Sequence, residues 1–186
     1  MEVARRFTGG GAVYHDLGNL NYSICAQKSL PSNLESQQKF LRWALDCVVA
    51  ALSKLGLETE IVPVNSVVSG ERKISGGSAA IRWGVIFYHG SILISSDLDM
   101  IWRVLRQEQP AKRSGFVQSR RAPVTSLERA LGREVPIDEV KRSMKRAFCE
   151  IFEASLSSRP ATEQELSTTE SLVKEKYSRG EWTLKL

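Results

Sequence analysis

Two glycine-rich stretches carry the residues whose types and spacing could do chemistry. The first, RRFTGGGAVYHDLGN, runs from Arg5 to Asn19 and sets three consecutive glycines behind two arginines. A glycine turn can aim backbone N–H groups at an anion, and the missing side chains let a phosphate come close. An arginine guanidinium would complete such a site by bidentate pairing. The stretch favours a phosphate-binding loop, with a flexible hairpin or a bulge as the alternative.

The second stretch places a lysine and a histidine beside further glycines. ERKISGGS sets Lys73 before a glycine pair, and YHGS sets His89 before Gly90. A lysine with no general base beside it suits stabilising a phosphate or a developing oxyanion better than nucleophilic attack. The alternative is a solvated surface lysine. His15 and His89 each flank a glycine motif at the end of an apolar alternation, where we expect a sheet to open into a pocket.

The first half of the chain predicts strands around one helix. Residues 11–16 and 19–26 alternate apolar and polar positions, which predicts two strands joined by a tight turn. Apolar residues then recur at helical spacing from Phe40 to Leu55, which predicts a helix. Residues 58–95 are rich in valine, isoleucine and aromatic residues broken by glycines, and they predict several short strands.

The second half predicts helices. Asp97, with the preceding serine, can cap a helix over LDMIWRVLRQ, and a long helix is predicted after Pro136. Thr162 and Glu165 have capping-box spacing ahead of a last helix that ends near Tyr177. Strands gathered in the first half with helices beside and after them predict an α+β domain with an antiparallel or mixed sheet.

The composition indicates an ordinary globular chain. Its 186 residues suit one domain, and 42% hydrophobic with 25% charged residues suits a buried core. No apolar run is long enough to cross a bilayer, and no apolar signal core follows Met1. Three separated cysteines without a C-x-x-C pair predict a reduced intracellular protein with no thiolate metal site. Each cysteine is interpreted as a small buried apolar residue.

The net charge of +5 is compatible with an acidic partner, and nucleic acid is the obvious candidate. The nearest approach to a basic stripe is formed by Lys112, Arg113, Arg120 and Arg121, in a loop-like stretch from Glu108 to Pro123 that contains one aromatic residue, Phe116. No nucleic-acid-binding motif is found there, so we interpret the stretch as a solvated loop.

The first stretch, in its longer form ARRFTGGGAVYHDLGNLNYS, resembles the signature of the lipoate–protein ligase A family. The similarity continues through NSVVSGERKISG, YHGSILISSDLDM and VQSRRAPVTSL to the end of the chain, TEQELSTTESLVKEKYSRGEWT. The family belongs to the biotin/lipoate ligase superfamily, related in fold to class II aminoacyl-tRNA synthetases. The resemblance implies a mixed, largely antiparallel sheet with flanking helices, and one catalytic domain over residues 1–186.

The resemblance implies an enzyme that activates lipoate with ATP and Mg²⁺. Such enzymes form lipoyl-adenylate and pass the lipoyl group to a lysine of a lipoyl-domain protein, either an E2 subunit or the glycine cleavage H protein. They act in the cytoplasm, without nucleic acid or a membrane as partner. Both chemical steps concentrate negative charge on phosphate or carbonyl oxygens, so the site needs positive charge and N–H donors.

The resemblance also implies the site residues. Lys73 matches the lysine of the family poised over the α-phosphate and the acyl carbonyl. The remaining positions implied to bind the nucleotide or lipoyl-adenylate are Arg6, Thr8, Gly9, Gly10, Gly11, Ala12, Val13, His15, Asn19, Gly76 and His89.

Two departures from the family pattern are visible. Ser66 stands where the family has an aspartate that helps to hold magnesium, and a hydroxyl is a poorer ligand for that hard cation. The chain also has only a few residues before the glycine loop and lacks the small C-terminal accessory domain. We therefore expect an N-terminally short catalytic domain, with an accessory domain supplied by a separate small chain.

Three alternatives remain. An octanoyltransferase would work without ATP, but its group uses a cysteine before the Lys-x-x-Gly motif, and LGLETEIVPVN contains none. Cys47 lies on the apolar stripe of a predicted helix and is a poor nucleophile candidate. A biotin ligase would carry a GRGR-like motif, which is absent. A non-catalytic or degenerate ligase fragment is favoured by the short N-terminus and Ser66.

Overall fold

The computed structural model describes residues 1–27, 37–63, 65–105 and 123–185. These residues form two compact units. The larger unit spans Thr8–Ala154, and the smaller one combines Met1–Phe7 with Ser155–Leu186. The predicted loop at 108–122 and most of VQSRRAPVTSL lie outside the described residues. No helix in the described part is long and apolar enough to cross a membrane.

The larger unit is built on a five-stranded antiparallel sheet with strand order β1-β5-β4-β3-β2. The strands are β1 Asn19–Gln27, β2 Glu60–Val62, β3 Ser66–Ser69, β4 Arg72–Arg82 and β5 Val85–Leu93. The helices of this unit are α1 Gln37–Lys54, α2 Leu98–Val104, α3 Leu127–Leu131 and α4 Ile137–Ile151. The predicted α+β class with a largely antiparallel sheet is confirmed.

One face of the sheet packs on the helices and forms the core. Side chains on alternate positions of β5, including Ile86 and Ile92, are buried there, and α1 contributes Val48 and Leu52. Burying one such aliphatic side chain stabilises the folded state by about 1.5–3 kcal/mol relative to leaving it exposed. This packing explains why α1 forms where the apolar residues of the sequence repeat at helical spacing.

We call the opposite side of the sheet the front face. Strand alternation places three rows of paired residues on it. The rows are Asn21–Ser91–Gly76, Ser23–His89–Ser78 and Cys25–Phe87–Ala80. The β1 members of all three rows are exposed, so this face is the accessible side of the sheet along that strand.

The predicted helices after residue 95 are confirmed within the described residues. The Asp97 side chain caps α2 by accepting the Met100 backbone N–H at 3.0 Å. The strand predicted at 11–16 is wrong, because this segment is irregular and leads through a turn into β1. Its only sequence evidence was alternation, and no strand among the described residues pairs with this segment.

The smaller unit contains α5 Glu163–Leu172, a π-helical turn Val173–Tyr177 and the short α6 Gly180–Thr183. The capping box predicted from Thr162 and Glu165 is confirmed at the start of α5. The Trp182 indole N–H donates to the Arg5 carbonyl at 2.8 Å, and the Arg5 Nε donates to the Thr183 carbonyl at 3.1 Å. These bonds hold the first residues of the chain against the last ones.

Candidate functional site

A β-bulge in β4 turns Lys73 onto the front face. In the pairing with β3, Val67 lies opposite Ser75 and Val68 lies opposite Lys73, which leaves Ile74 as an extra residue. An extra residue reverses the side-chain alternation, and bulges often re-aim a side chain in this way. Residues 73 and 76 would lie on opposite faces of a regular strand. The bulge places them on the same face.

The Lys73 side chain lies directly over Gly76. A Cβ at Gly76 would come within 2.6 Å of the Lys73 Cε and 2.7 Å of its Nζ, so only glycine leaves room for the lysine there. Burial lowers the pKa of Lys73 from its ordinary value. Among the described residues no carboxylate pairs with this ammonium group. The interpretation of Lys73 as a solvated surface lysine is therefore wrong.

The backbone of Lys73 is fixed from a second direction. Its N–H donates to the Pro123 carbonyl at 2.7 Å, and its carbonyl accepts the Thr125 N–H at 2.9 Å. These bonds form an isolated parallel bridge between Lys73 and Val124. The backbone of Lys73 is thus held by β3 on one side of the strand and by residues 123–125 on the other. The position from which its side chain extends is therefore fixed.

The glycine loop is tied to the front face next to this lysine. Thr8 Oγ1 and His89 Nε2 are 2.6 Å apart and share a hydrogen bond, and the Ser78 hydroxyl donates to the Gly9 carbonyl at 3.2 Å. Gly10 has φ of 109°, a conformation that side-chain-bearing residues rarely adopt. These contacts place bare backbone over the row that contains His89 and Ser78, which neighbours the row of Gly76.

Asn65 holds the glycine pair of β4 in place. Its side-chain amide donates to the Gly77 carbonyl at 2.6 Å, and its own carbonyl accepts the Gly77 N–H at 3.2 Å. On the core face, a Cβ at Gly77 would collide with the Tyr88 hydroxyl, and one at Gly90 would lie 2.5 Å from the Tyr22 hydroxyl. The two tyrosine hydroxyls share a hydrogen bond at 3.0 Å. The glycines therefore leave room for these rings beneath the site.

The structure brings together only part of the predicted set. Lys73, Gly76, Thr8, Gly9 and His89 meet on the front face. Asn19 lies on the same face at the start of β1, two residues before Asn21. Gly11, Ala12, Val13 and His15 are exposed in the segment between the glycine loop and β1. Arg6 belongs to the smaller unit, where burial lowers its pKa.

Sequence reasoning missed Asn65, Ser78 and Asp16. Asn65 and Ser78 directly adjoin motif residues, Ser66 and Gly77, and that adjacency was the available signal. Asp16 lies inside the first glycine-rich stretch, and its carboxylate accepts the Gly18 backbone N–H at 2.9 Å. None of the three has a residue type that indicates its role without knowledge of the strand register.

The described residues do not form an evident magnesium site. Ser66 lies opposite Gly76 in the β3–β4 pairing, where the resemblance led us to expect an aspartate. No cluster of three or more histidine, cysteine, aspartate or glutamate side chains that could hold a metal is found in the part of the chain that the structure describes. Magnesium prefers carboxylate and phosphate oxygens. We therefore assign no metal ligand to this chain.

Two of the three cysteines, Cys25 and Cys47, are poor nucleophiles. Cys47 is buried in α1, and burial together with the nearby Asp46 charge raises its thiol pKa to about 12. Cys149 is half-buried. Cys25 is exposed on the front face, so its interpretation as a buried apolar residue is wrong. Desolvation by neighbouring atoms still raises the pKa of the Cys25 thiol.

Known relatives agree with the fold. A glycine loop and a half-buried lysine on the exposed face of an antiparallel α+β sheet define a site suited to anionic ligands. The chain belongs to the family described as the lipoyl protein ligase A/B catalytic domain, whose model matches residues 1–149. Lipoate-protein ligase A subunit 1 of Thermoplasma acidophilum is 34% identical over 99% of this chain and 72% of its own length.

Solved structures place the chain among the same proteins. A lipoate-protein ligase A bound with ATP has a TM-score of 0.79 at 34% identity, covering 97% of this chain and 71% of that chain. A bipartite lipoate protein ligase from Thermoplasma acidophilum, solved with its E2 lipoyl domain, has a TM-score of 0.80 at 33% identity, covering 97% and 69%. A biotin protein ligase from Aquifex aeolicus, 19% identical with a TM-score of 0.51, shares the fold.

Other relatives differ in length and in the reaction they are named for. Lipoate–protein ligase 1 of Staphylococcus aureus is 31% identical, and this chain spans about half of its length, 53%. An octanoyltransferase of Brevibacillus brevis is 26% identical over the whole of this chain and 75% of its own length. Membership of the family is therefore established, and it includes both ligases and acyltransferases.

Proposed function

We propose that this protein is an ATP-dependent lipoate–protein ligase of the cytoplasm. In the first step a lipoate carboxylate oxygen bonds to the α-phosphorus of ATP, and the bond to the leaving pyrophosphate breaks. In the second step a lysine amine of a lipoyl-domain protein bonds to the acyl carbon. AMP leaves with the electrons of the broken C–O bond, and the amine proton passes to solvent.

The position of Lys73 over Gly76 carries this proposal. Both steps build negative charge on phosphate or carbonyl oxygens, and a half-buried ammonium without a carboxylate partner among the described residues is placed to stabilise it. Burial strengthens the attraction because the local dielectric is lower than that of water. Lys73 is in this proposal the catalytic residue, acting by charge and not as a nucleophile.

The glycine loop and its neighbours take the binding roles. Backbone N–H groups of Gly9, Gly10 and Gly11 would hold nucleotide phosphate, with Thr8 and His89 fixing the loop on the sheet. Gly76 keeps the space that Lys73 needs. By resemblance, the remaining binding residues are Arg6, Ala12, Val13, His15 and Asn19.

An ATP-independent octanoyltransferase is the second candidate, supported by the relative from Brevibacillus brevis. Acyl transfer through a cysteine needs a thiolate. The pKa values of Cys25 and Cys47 are both raised, which disfavours the thiolate at neutral pH. Dependence on ATP separates the two candidates. A non-catalytic fragment is the third possibility, and it would show neither activity.

We propose that the acceptor is a lipoyl-domain protein, either an E2 subunit or the glycine cleavage H protein. The bipartite Thermoplasma acidophilum ligase, solved with its E2 lipoyl domain, supports this class of acceptor. It also supports a second, small accessory chain that completes the ligase. ATP would enter as its magnesium complex, with the metal carried by the phosphates, since the described residues offer no carboxylate cluster for it.

ATP–pyrophosphate exchange tests the proposal. The chain is incubated with lipoate, Mg²⁺-ATP and labelled pyrophosphate, alone and with a candidate accessory chain. Lipoate-dependent exchange is expected, and Lys73→Met should reduce it by about 10²- to 10³-fold, as the loss of an oxyanion-stabilising group does. Lys141→Met is the matched control, because Lys141 is an exposed lysine paired with Asp138 on α4.

Each outcome has a distinct meaning. Exchange that survives Lys73→Met unchanged would overturn the role of Lys73. Transfer of octanoate between carrier proteins without ATP, in the absence of exchange, would favour the acyltransferase. A folded chain that does neither with the accessory chain present would favour the non-catalytic alternative.

A further inference from the structure

Asp16 collects three hydrogen bonds where the glycine loop enters β1. Its Oδ1 accepts the Gly18 backbone N–H at 2.9 Å and the Asn19 side-chain amide, with 3.1 Å between Oδ1 and Nδ2. Its Oδ2 accepts the Asp97 backbone N–H at 2.8 Å. Bonds of this kind to a carboxylate are charge-assisted and stronger than neutral ones. Asp16 thereby joins the turn, the start of β1 and the start of α2.

The bond to Asn19 decides which way the Asn19 amide points. A carboxylate only accepts hydrogen bonds, so the NH₂ group of Asn19 must face Asp16. The carbonyl oxygen, Oδ1, then points away from it. The Asn19 residue is 7% exposed, and its Oδ1 has no hydrogen-bond partner among the residues that the structure describes. A buried acceptor without a donor is unfavourable, which marks this oxygen as available to a ligand.

Asn19 lies on the front face near the lysine end of the site. It pairs with Leu93 of β5, two residues before Asn21, which belongs to the row containing Ser91 and Gly76. Alternate residues of a strand share a face and are about 7 Å apart. The available oxygen is therefore on the same side of the sheet as Lys73.

We propose that Asp16 is a positioning residue that acts through Asn19. It holds the Asn19 amide with its carbonyl oxygen free to accept an N–H or O–H donor of the bound nucleotide. This inference rests on the proposed function, since a nucleotide supplies the donor. The exocyclic amine of adenine and the ribose hydroxyls are both donors of this chemistry.

A double-mutant cycle tests the inference. Asp16→Asn lets the Asn19 amide turn over, because a carboxamide offers both a donor and an acceptor to it. We expect KM for ATP in the exchange reaction to rise about tenfold, because one hydrogen bond to the nucleotide is lost. KM for lipoate should stay the same. In the Asn19→Ala background the same substitution should have no further effect on KM for ATP.

Asp97→Asn is the matched control. It removes the negative charge of the residue whose backbone N–H bonds Asp16, while asparagine still caps α2. KM for ATP should be unchanged in this variant. Additive effects of Asp16→Asn and Asn19→Ala would overturn the inference, because a residue that only holds the turn would act independently of Asn19.

Nucleotide analogues identify the donor. Inosine triphosphate replaces the amine with an acceptor, and 2′,3′-dideoxy-ATP lacks both ribose hydroxyls. The wild type should bind one of them more weakly than ATP, and Asp16→Asn should reduce that difference. Equal binding of all three nucleotides by the wild type would show that Asn19 reads neither donor, and would overturn the inference.

A measurement on the ligand-free wild type keeps the two proposals separate. The side-chain NH₂ protons of Asn19, assigned by their loss in Asn19→Ala, should exchange more slowly than those of a solvated asparagine. If these protons exchanged as fast as those of a solvated asparagine, the inference would be overturned even in an active enzyme. If the wild type binds no ATP, the proposed function fails, and this amide signal alone then decides whether Asp16 orients Asn19.

Discussion

Lys73 combines two properties that rarely occur together in a lysine. Its backbone is bonded on both sides, and its ammonium group is desolvated and has no carboxylate partner among the described residues. Desolvation disfavours the charged form, so an arriving anion gains more from this lysine than from a surface one. The cost of burying the ammonium is thus offset only when a negative ligand binds.

Gly76→Ala tests the space over which Lys73 lies. The new Cβ would meet the far end of a flexible side chain, so the lysine should move aside with little loss of stability. Displacing the ammonium by about 1 Å is expected to reduce exchange activity by about 100-fold. Gly180→Ala, where nothing lies within 4 Å, is the control. Full activity in Gly76→Ala, with an unchanged melting temperature, would contradict the proposed geometry.

The lowered pKa of Lys73 predicts a pH dependence of ATP binding. Below its folded pKa the ammonium is charged and attracts phosphate, and above that pKa it is neutral. Because burial lowers the pKa, ATP affinity should weaken at a pH where a solvated lysine is still charged. Calorimetric titration from about pH 7 to about pH 10 measures this, with ordinary lysines titrating near 10.4. A Lys73→Met variant that showed the same pH profile would assign the effect to another group.

At the scale of elements, the sequence predicted what depends on local periodicity. The apolar stripes of α1 and α4 and the capping box of α5 were all visible in it. The bulge at Ile74 was not, because it is a mismatch between β3 and β4 and has no residue type of its own. The strand prediction for residues 11–16 was wrong for the opposite reason. Their alternation resembles that of a strand, but the sheet bonds the preceding loop, and none of the described strands pairs with these residues.

The cap of α5 allows a test at this scale. Thr162→Ala removes the side chain that accepts the Glu165 backbone N–H, and it should destabilise the helix by about 1 kcal/mol. Hydrogen exchange of the α5 amides should accelerate, while amides of β4 and β5 keep their protection. Thr168→Ala, in the middle of the exposed helix, is the control. Equal acceleration in both variants would mean that the capping box contributes nothing.

At the scale of the whole molecule, most of the candidate site residues lie in the larger of the two units. The larger unit holds Lys73, the glycine loop and Asn19. The smaller unit contains few buried side chains and depends on specific contacts, among them the Lys176 ammonium 4.1 Å from the centre of the Trp182 ring. A unit with so little core should open more readily than one built on a packed sheet.

Trp182→Phe should loosen the first residues of the chain. Phenylalanine keeps an aromatic ring but loses the indole N–H that bonds the Arg5 carbonyl. Trypsin should cleave after Arg5 faster in this variant than in the wild type, because cleavage requires the segment to leave its bonded conformation. Trp102→Phe, a substitution in the larger unit, is the control. Unchanged cleavage after Arg5 would show that the indole bond does not hold the segment.

The bonds between Arg5 and the last helix also set an order of events during synthesis. A ribosome makes Met1–Phe7 before the larger unit and the residues around Trp182 after it. Every residue of the larger unit has been made before α6 exists, so that unit can fold while the first seven residues still lack their partners. The segment that leads into the glycine loop is therefore made before the larger unit and acquires these bonds only after that unit is complete.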